Sequence, residues 1–165
     1  ILCGIEVCTL MGKDSYALPY SADISFFDFA LVENLDSPNS FMNGDIFDFA
    51  KRWGCPVGIA HTDLFKFCQQ RGEEPNRYFK RLAEAGIFWE LNGNYDSLHN
   101  FSQHDYVTEF FKNKTQQEIV KKSGIKVSVG FDSHIAKEYK PQRVKTACQM
   151  LKNMGIKLAF ENKIF

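Results

Sequence analysis

Pro56-Val57-Gly58-Ile59-Ala60-His61-Thr62-Asp63 is the stretch on which the reading of the fold turns. Its first five residues carry no charge and include β-branched Val57 and Ile59, so a short buried strand over Pro56–Ala60 is expected, running into His61. On its upstream side Asp45–Trp53 has a helical pattern, closed by Gly54 and followed by Pro56, a common stop signal. On its downstream side Glu73–Ala85 reads as a helix with Pro75 in the first turn and Gly86 just past the end. A helix, a buried strand and a second helix form the unit that the rest of the chain repeats.

Working outward, Ile1–Thr9 and Phe26–Val32 read as strands before that unit. After it come a strand at Ile87–Leu91, ending in the polar turn Asn92-Gly93-Asn94, and a single long amphipathic helix over Asp105–Lys122 that stops at Ser123-Gly124. A strand at Ile125–Val129, a helix at Pro141–Met154 ended by Gly155, and a last strand at Ile156–Phe160 complete the series. Leu10–Ser25 and Ser37–Asn43 read as loops, and the tail Glu161–Phe165 is too short to assign. Strands alternating with helices of this length imply parallel pairing through right-handed crossovers. Their nearly continuous apolar character implies cover on both faces. The expected fold class is α/β, one domain of parallel strand–helix repeats spanning residues 1–165.

A chain of 165 residues and 19.0 kDa can build a real core but is short for a closed strand–helix barrel, which usually takes about 200 residues or more. Its first residue is Ile1 rather than Met, so it is expected to start inside a longer protein. Twenty Lys and Arg balance 20 Asp and Glu, which argues against binding nucleic acid over the whole surface. The pair Lys121-Lys122 reads as a solvated helix end. Five cysteines, an odd number with no CxxC pair, make a poor disulfide framework and fit a reducing, cytoplasmic compartment. No apolar run approaches the roughly 18 residues of a membrane span. The 16 Phe residues read as core packing.

In parallel α/β folds functional groups collect just past the C-terminal ends of the strands. Three such ends carry carboxylate or imidazole groups: Glu6 within Gly4-Ile5-Glu6-Val7, His61-Thr62-Asp63, and Gly130-Phe131-Asp132-Ser133-His134. Asp132 and His134, two apart at a strand end, face one side and suit one ion or two neighbouring ions. Carboxylate with imidazole favours zinc, manganese or iron over calcium. Against that, Asp132 could simply cap loop amides, His61 could be a hydrogen-bonded structural residue, and Glu6 could face solvent. His99 and His104 lie in a polar linker before a helix and read as surface or capping residues.

Taken in order, these motifs resemble the PHP (polymerase and histidinol phosphatase) superfamily of metal-dependent phosphoesterases. Gly4-Ile5-Glu6-Val7 resembles its "GIE" strand, and Pro56–His61 resembles the strand ending in a metal-binding histidine, with Thr62 where proline is usual. Phe88-Trp89-Glu90-Leu91-Asn92 is similar to its "ALEIN" strand, and Val129–His134 to its "GSDAH" motif. The helix Pro141–Met154 with Gly155-Ile156-Lys157 resembles its closing "LLKELGF" unit. The resemblance implies most of a distorted (β/α)7 barrel, starting at what would be the third strand and so without the early His-x-His. It also implies a cluster of divalent transition metals, with Glu6, His61, Asp132 and His134 as ligands, and a small phosphorylated metabolite as substrate. Asp63 would orient a ligand or accept a proton. Phe27–Leu35 resembles the strand that normally ends in "GSVH", but no histidine stands there. Nearby Glu33, Asn34 and Asp36 are not expected to take its role.

Two other readings compete with a phosphomonoesterase. One is a degenerate barrel of this kind that binds or supports without catalysis, favoured by the missing histidine near Leu35. The other is a metal hydrolase of the amidohydrolase kind, which would want an early His-x-His and often a strand-end lysine, neither of which the sequence contains.

Overall fold

The computed structural model describes residues 2–10, 22–42 and 45–161. Most of the loop expected over Leu10–Ser25, the end of Ser37–Asn43 and nearly all of the tail after Glu161 lie outside the described residues.

Among the described residues five parallel strands form one sheet, in the order in which they occur along the chain: β1 (Gly4–Cys8), β2 (Phe29–Glu33), β3 (Val57–Ile59), β4 (Phe88–Asn92) and β5 (Val127–Gly130). Sequential order with every pair parallel means each right-handed crossover returns on the same face, as in a barrel rather than a doubly wound sheet. The helices accordingly gather on one side. They are α1 (Phe47–Arg52), α2 (Leu64–Arg71), α3 (Pro75–Glu84), α4 (Asp105–Lys112), α5 (Lys114–Ser123) and α6 (Pro141–Met154). Trp89 on β4 is fully buried beneath them, against Phe65 of α2, Phe79 of α3, and Tyr106 and Phe110 of α4. The observed fold is thus α/β with an all-parallel sheet, compatible with part of a barrel.

Three expectations need correction. The single helix over Asp105–Lys122 is two helices, because Asn113 takes an extended conformation and its side chain caps α5 by accepting from the Thr115 and Gln116 amides. An Asn side chain that bonds local amides offers the backbone an alternative to continued helix. The strand at Ile156–Phe160 is reduced to one parallel bridge, Val127 to Leu158. Helix α2 was not anticipated at all; Asp63 caps its start and Gly72, in the left-handed region, ends it.

The strands are not all covered on both faces. On β2, Ala30 and Val32 are buried in the core while Phe29, Leu31 and Glu33 are half-buried on the opposite, inner face. Register sets Gly4 of β1 beside Phe29, Gly58 of β3 beside Phe88, and Gly130 of β5 beside Asn92. A Cβ at Gly4 would overlap the Phe29 ring, one at Gly58 the Phe88 ring, and one at Gly130 the Glu90 carboxylate. Bulky residues on the even strands therefore lie across glycines on the odd ones, the alternation that fills barrel interiors in layers. Phe160 closes this layer, its ring 5.0 Å from that of Phe29 and 5.2 Å from that of Phe88. A cavity of about 490 Å³ lies against the same face, bounded by Leu31, Phe88, Glu90 and Phe160.

Candidate metal centre

Glu6 of β1, Glu33 at the end of β2 and His61 just past β3 converge on one point. His61 Nε2 lies 3.2 Å from Glu6 Oε1 and 3.6 Å from Glu33 Oε2. One ligand atom from each of the three falls within 4.8 Å of the others. The placement follows from the pairing. Register sets Cys8 opposite Glu33, and the inner face of β1 carries Glu6 two residues before Cys8. β3 is shorter, so the chain turns at His61, whose φ of 22° is an uncommon backbone state for a non-glycine residue.

Glu90 sits below this group and ties it to the next strand. It is almost wholly buried on β4, and its Oε2 accepts from the His61 amide at 3.2 Å and from the Asn92 side chain at 3.4 Å. Asn92 Oδ1 in turn accepts from the Asp132 amide at 3.4 Å. A continuous polar chain thus links the ends of β3, β4 and β5. The Tyr106 hydroxyl locks its middle by donating to the Glu90 carbonyl and accepting from the Asn92 amide.

Electrostatics reflect this crowding. The hydrogen bond that the His61 ring makes to Glu6 raises its pKa above the ordinary 6.5, opposed by burial and aided by the charges of Glu6, Glu90 and Glu33. Burial raises the pKa of Glu90, with the His61 amide and ring opposing. The His104 ring is stacked on His61 at 6.1 Å, and burial followed by the charges of His61 and His99 lowers its pKa. Two carboxylates, Glu6 and Glu33, thus face one imidazole, with the buried Glu90 beneath it.

A second group forms past β4 and β5. Asp96 is fully buried, and its Oδ1 accepts from both the His99 amide, at 3.1 Å, and the His99 ring Nδ1, at 2.6 Å. Burial works against ionising Asp96, but the His99 ring and amide and the His134 backbone outweigh it and hold the pKa below the ordinary carboxylate value. Asp132 lies between two rings, 3.9 Å from His99 Nε2 and 3.7 Å from His134 Nδ1. The charge environment of His104 takes in His61 on one side and His99 and Asp132 on the other, so the two groups share one rim.

Of the residues singled out from sequence, Glu6 and His61 lie in the first group and Asp132 and His134 in or beside the second. Asp63 belongs to neither group; its Oδ1 accepts from the Phe65 and Lys66 amides at the start of α2. Glu33 sits where the missing histidine was sought, contrary to expectation. His99 and His104, read as surface residues, are half-buried and face the site, and the His104 side chain makes no cap bond although it precedes α4. Glu90 and Asp96 had no signal beyond lying at or after a strand end.

Among the described residues no helix is long and apolar enough to cross a membrane. No protein-family model, no curated protein and no solved structure matches the chain.

Proposed function

We propose that the chain is a metal-dependent phosphoesterase acting on a phosphomonoester of a small metabolite. The observation that carries this reading is the convergence of Glu6 on β1, Glu33 at the end of β2 and His61 just past β3 within 4.8 Å of one another. Two carboxylates held that close repel each other by about 3 kcal/mol at an effective dielectric of 20, and by about 1 kcal/mol in water-like surroundings. Glu6 is nearly half exposed, so the lower figure applies on its side. A divalent cation removes this repulsion, and the mixed oxygen and nitrogen donors suit zinc, manganese or iron.

Glu6, Glu33 and His61 would hold the ion. Glu90, beneath them, fixes the His61 backbone through its amide, and Asn92 fixes the approach of Asp132. When bound, such an ion lowers the pKa of water toward neutrality and neutralises phosphate oxygens. Phosphoryl transfer needs chiefly positioning and charge stabilisation, so a nucleophilic Ser or Cys is not required. The choice of a phosphate ester among hydrolysable groups rests on the resemblance of the ordered strand-end motifs, and the geometry supports the metal-dependent part.

The competing reading, a module that binds without catalysis, drew on the missing histidine at the end of β2. Glu33 offers a carboxylate at that position, 3.6 Å from His61, which weakens it. The test is phosphate release from a panel of small phosphomonoesters with Mn²⁺ or Zn²⁺ added to metal-free protein. Activity is expected to require metal and to fall at least a hundredfold in His61→Ala and Glu33→Gln. Metal-independent activity, or full activity in His61→Ala, overturns the proposal, as does the lack of both metal uptake and phosphate release.

A further inference from the structure

Helices α4 and α6 leave a cleft between them whose floor is Leu91 of β4 and its register partner Val129 of β5. Leu91 alternates with Glu90 and Asn92 along β4, so the cleft lies on the outer face of the sheet, across it from the candidate metal centre. One wall is formed by Val107 and Phe111 of α4, four residues apart. The other is formed by Arg143, Ala147 and Met150 of α6, spaced to lie along one stripe of a helix. Leu151 is the one fully buried residue among the 14 of α6, so this stripe is not used up in packing. Met150 stays exposed and Phe111 half-buried as a result. The space between the walls is about 530 Å³, within the roughly 300–1,000 Å³ of small-molecule sites.

The charges bordering this apolar space are of one sign. Lys112 and Arg143 line it, and no Asp or Glu does. Arg143 Nη2 donates to Gln103 Oε1, a neutral acceptor, at 3.1 Å, and its guanidinium lies 4.4 Å from the centre of the Tyr95 ring. Its Nε is buried without an acceptor, and among the described residues no carboxylate pairs with the group. A guanidinium partly withdrawn from water and left without a counter-charge favours an anion beside it. Gln103 and Tyr95 already fix its position, so little side-chain freedom is lost when an oxyanion meets its remaining N–H groups. Lys112, the last residue of α4, is exposed and hydrated, and it stands at the other end of that helix from Gln103.

We infer that the α4–α6 cleft binds a small carboxylic acid with an apolar body, its carboxylate on Arg143 and its chain or ring over Leu91 and Val129, between Phe111 and Met150. An apolar body gains by displacing water from those surfaces. A sugar phosphate would instead set its hydroxyls against them and lose hydrogen bonds to water. An uncharged hydrocarbon would leave Arg143 without a counter-charge. The cleft shares no residue with the group at Glu6, Glu33 and His61, and its ligand does not depend on the phosphoesterase reading.

The test is isothermal titration calorimetry of the full chain with octanoate and phenylbutyrate, and with octanol as the uncharged counterpart. One acid molecule per chain is expected to bind, about tenfold or more tightly than the alcohol, as a charge-assisted hydrogen bond implies. Arg143→Gln should bring the acids down to the level of octanol. Lys112→Gln, at the exposed end of the cleft, should change their affinity by less than about threefold. Ala147→Trp fills the space and should abolish binding of all three; circular dichroism verifies that the variant folds. If it does not fold, Thr146→Trp obstructs the same cleft from an exposed position. Binding of neither acid overturns the inference, as does equal affinity of wild type for acid and alcohol. So does octanoate affinity that Arg143→Gln leaves unchanged, or binding that survives in a folded tryptophan variant. Self-association that the tryptophan abolishes, with no acid bound, assigns the cleft to a second copy of the chain and likewise overturns it.

Discussion

Replacing Tyr106 by Phe tests how the rim of the sheet is held together. β3 pairs with β4 only at Gly58–Phe88 and Ile59–Trp89, after which the chain leaves the sheet at His61. Trp89 and Gly93 donate to β5, so the intervening Asn92 amide points to the side that β3 has vacated. The Tyr106 hydroxyl substitutes for the absent strand, 3.0 Å from the Asn92 nitrogen and 3.1 Å from the Glu90 carbonyl. Burial pushes the pKa of this phenol far up, so it remains a donor at any working pH. Phenylalanine keeps the ring and its packing on Trp89, 5.8 Å away between centroids, and removes only the bonding oxygen. Two buried backbone groups then lack partners, each at about 1–3 kcal/mol, with the carbonyl toward the lower end. Their sum is about 2–4 kcal/mol, which at about 2–4 °C per kcal/mol is a fall in Tm of roughly 4–16 °C. Thermal unfolding followed by circular dichroism measures it, with Tyr139→Phe, at an exposed position, as the neutral control. A fall of less than 1 °C in Tyr106→Phe would refute the role of the hydroxyl as a strand substitute.

Other changes probe the interior, the thiols and the titrating rim. Gly58→Ala forces a methyl into the Phe88 ring and should cost about 1–3 kcal/mol, and Phe88→Leu in the same chain should recover part of it; equal costs with and without the second change would mean the two do not meet. Cys68 is fully buried with a pKa pushed up to about 12, chiefly by burial, so a thiol reagent at pH 8 should label exposed Cys3 and spare Cys68 until the chain unfolds; peptide mapping by mass spectrometry reads this directly. In metal-free protein the raised pKa of His61 means that its ionic contribution to stability is complete below 6.5 and is lost as pH rises through the folded-state value. The stability gap between wild type and His61→Gln should therefore narrow above pH 6.5 in denaturant titrations, and a gap that widens there contradicts the Glu6 pairing. Zn²⁺ at a hundred times its Kd should add about 2.7 kcal/mol to wild-type stability, or roughly 5–11 °C in Tm, and less in Glu33→Gln.

Elements with punctuation at both ends were legible from sequence, and those without it were not. Pro141 and Gly155 bracket α6, which spans the residues expected for it. The amphipathic pattern runs unbroken across Asn113, so only the competition of its side chain for the Thr115 and Gln116 amides reveals the break. Helix α2 carries its own signals, Asp63 before it and Gly72 after it, but an Asp beside a strand-end histidine reads equally well as a chemical group and as a cap. For the site, motifs exposed the residues lying on strands. Glu33 is visible in the sequence as one of three candidates near the missing histidine, and only the pairing of β1 with β2 sets it apart from Asn34 and Asp36. His99 and His104 escaped because a polar linker says nothing about where it folds. The Asp96 carboxylate on the His99 ring orders the turn within that linker, and the Tyr106 hydroxyl on β4 holds its far end, at the start of α4, over the strand ends.

The inner face of the sheet shows why the carboxylates lie where they do. Side chains on one face recur every second residue, so a strand reaches the rim from the apolar floor in steps of two. β2 passes through Phe29, Leu31 and Glu33, and β4 through Phe88, Glu90 and Asn92, while β1 passes through Gly4, Glu6 and Cys8. A slip of one residue in the β1–β2 pairing would turn Glu6 toward the helices and bring Val7 inward, because the opposite face of β1 carries Ile5 and Val7 into the core. Burial of Val7, Ala30, Val32, Ile59 and Trp89 under the helices therefore fixes the register and, with it, the meeting of Glu6 with Glu33 and His61. The like charges add no stability of their own, and the core holds them together against their repulsion. An arrangement that the hydrophobic core imposes and electrostatics oppose gains from a bound cation, and that difference in stability with and without metal is what the Glu33→Gln comparison measures.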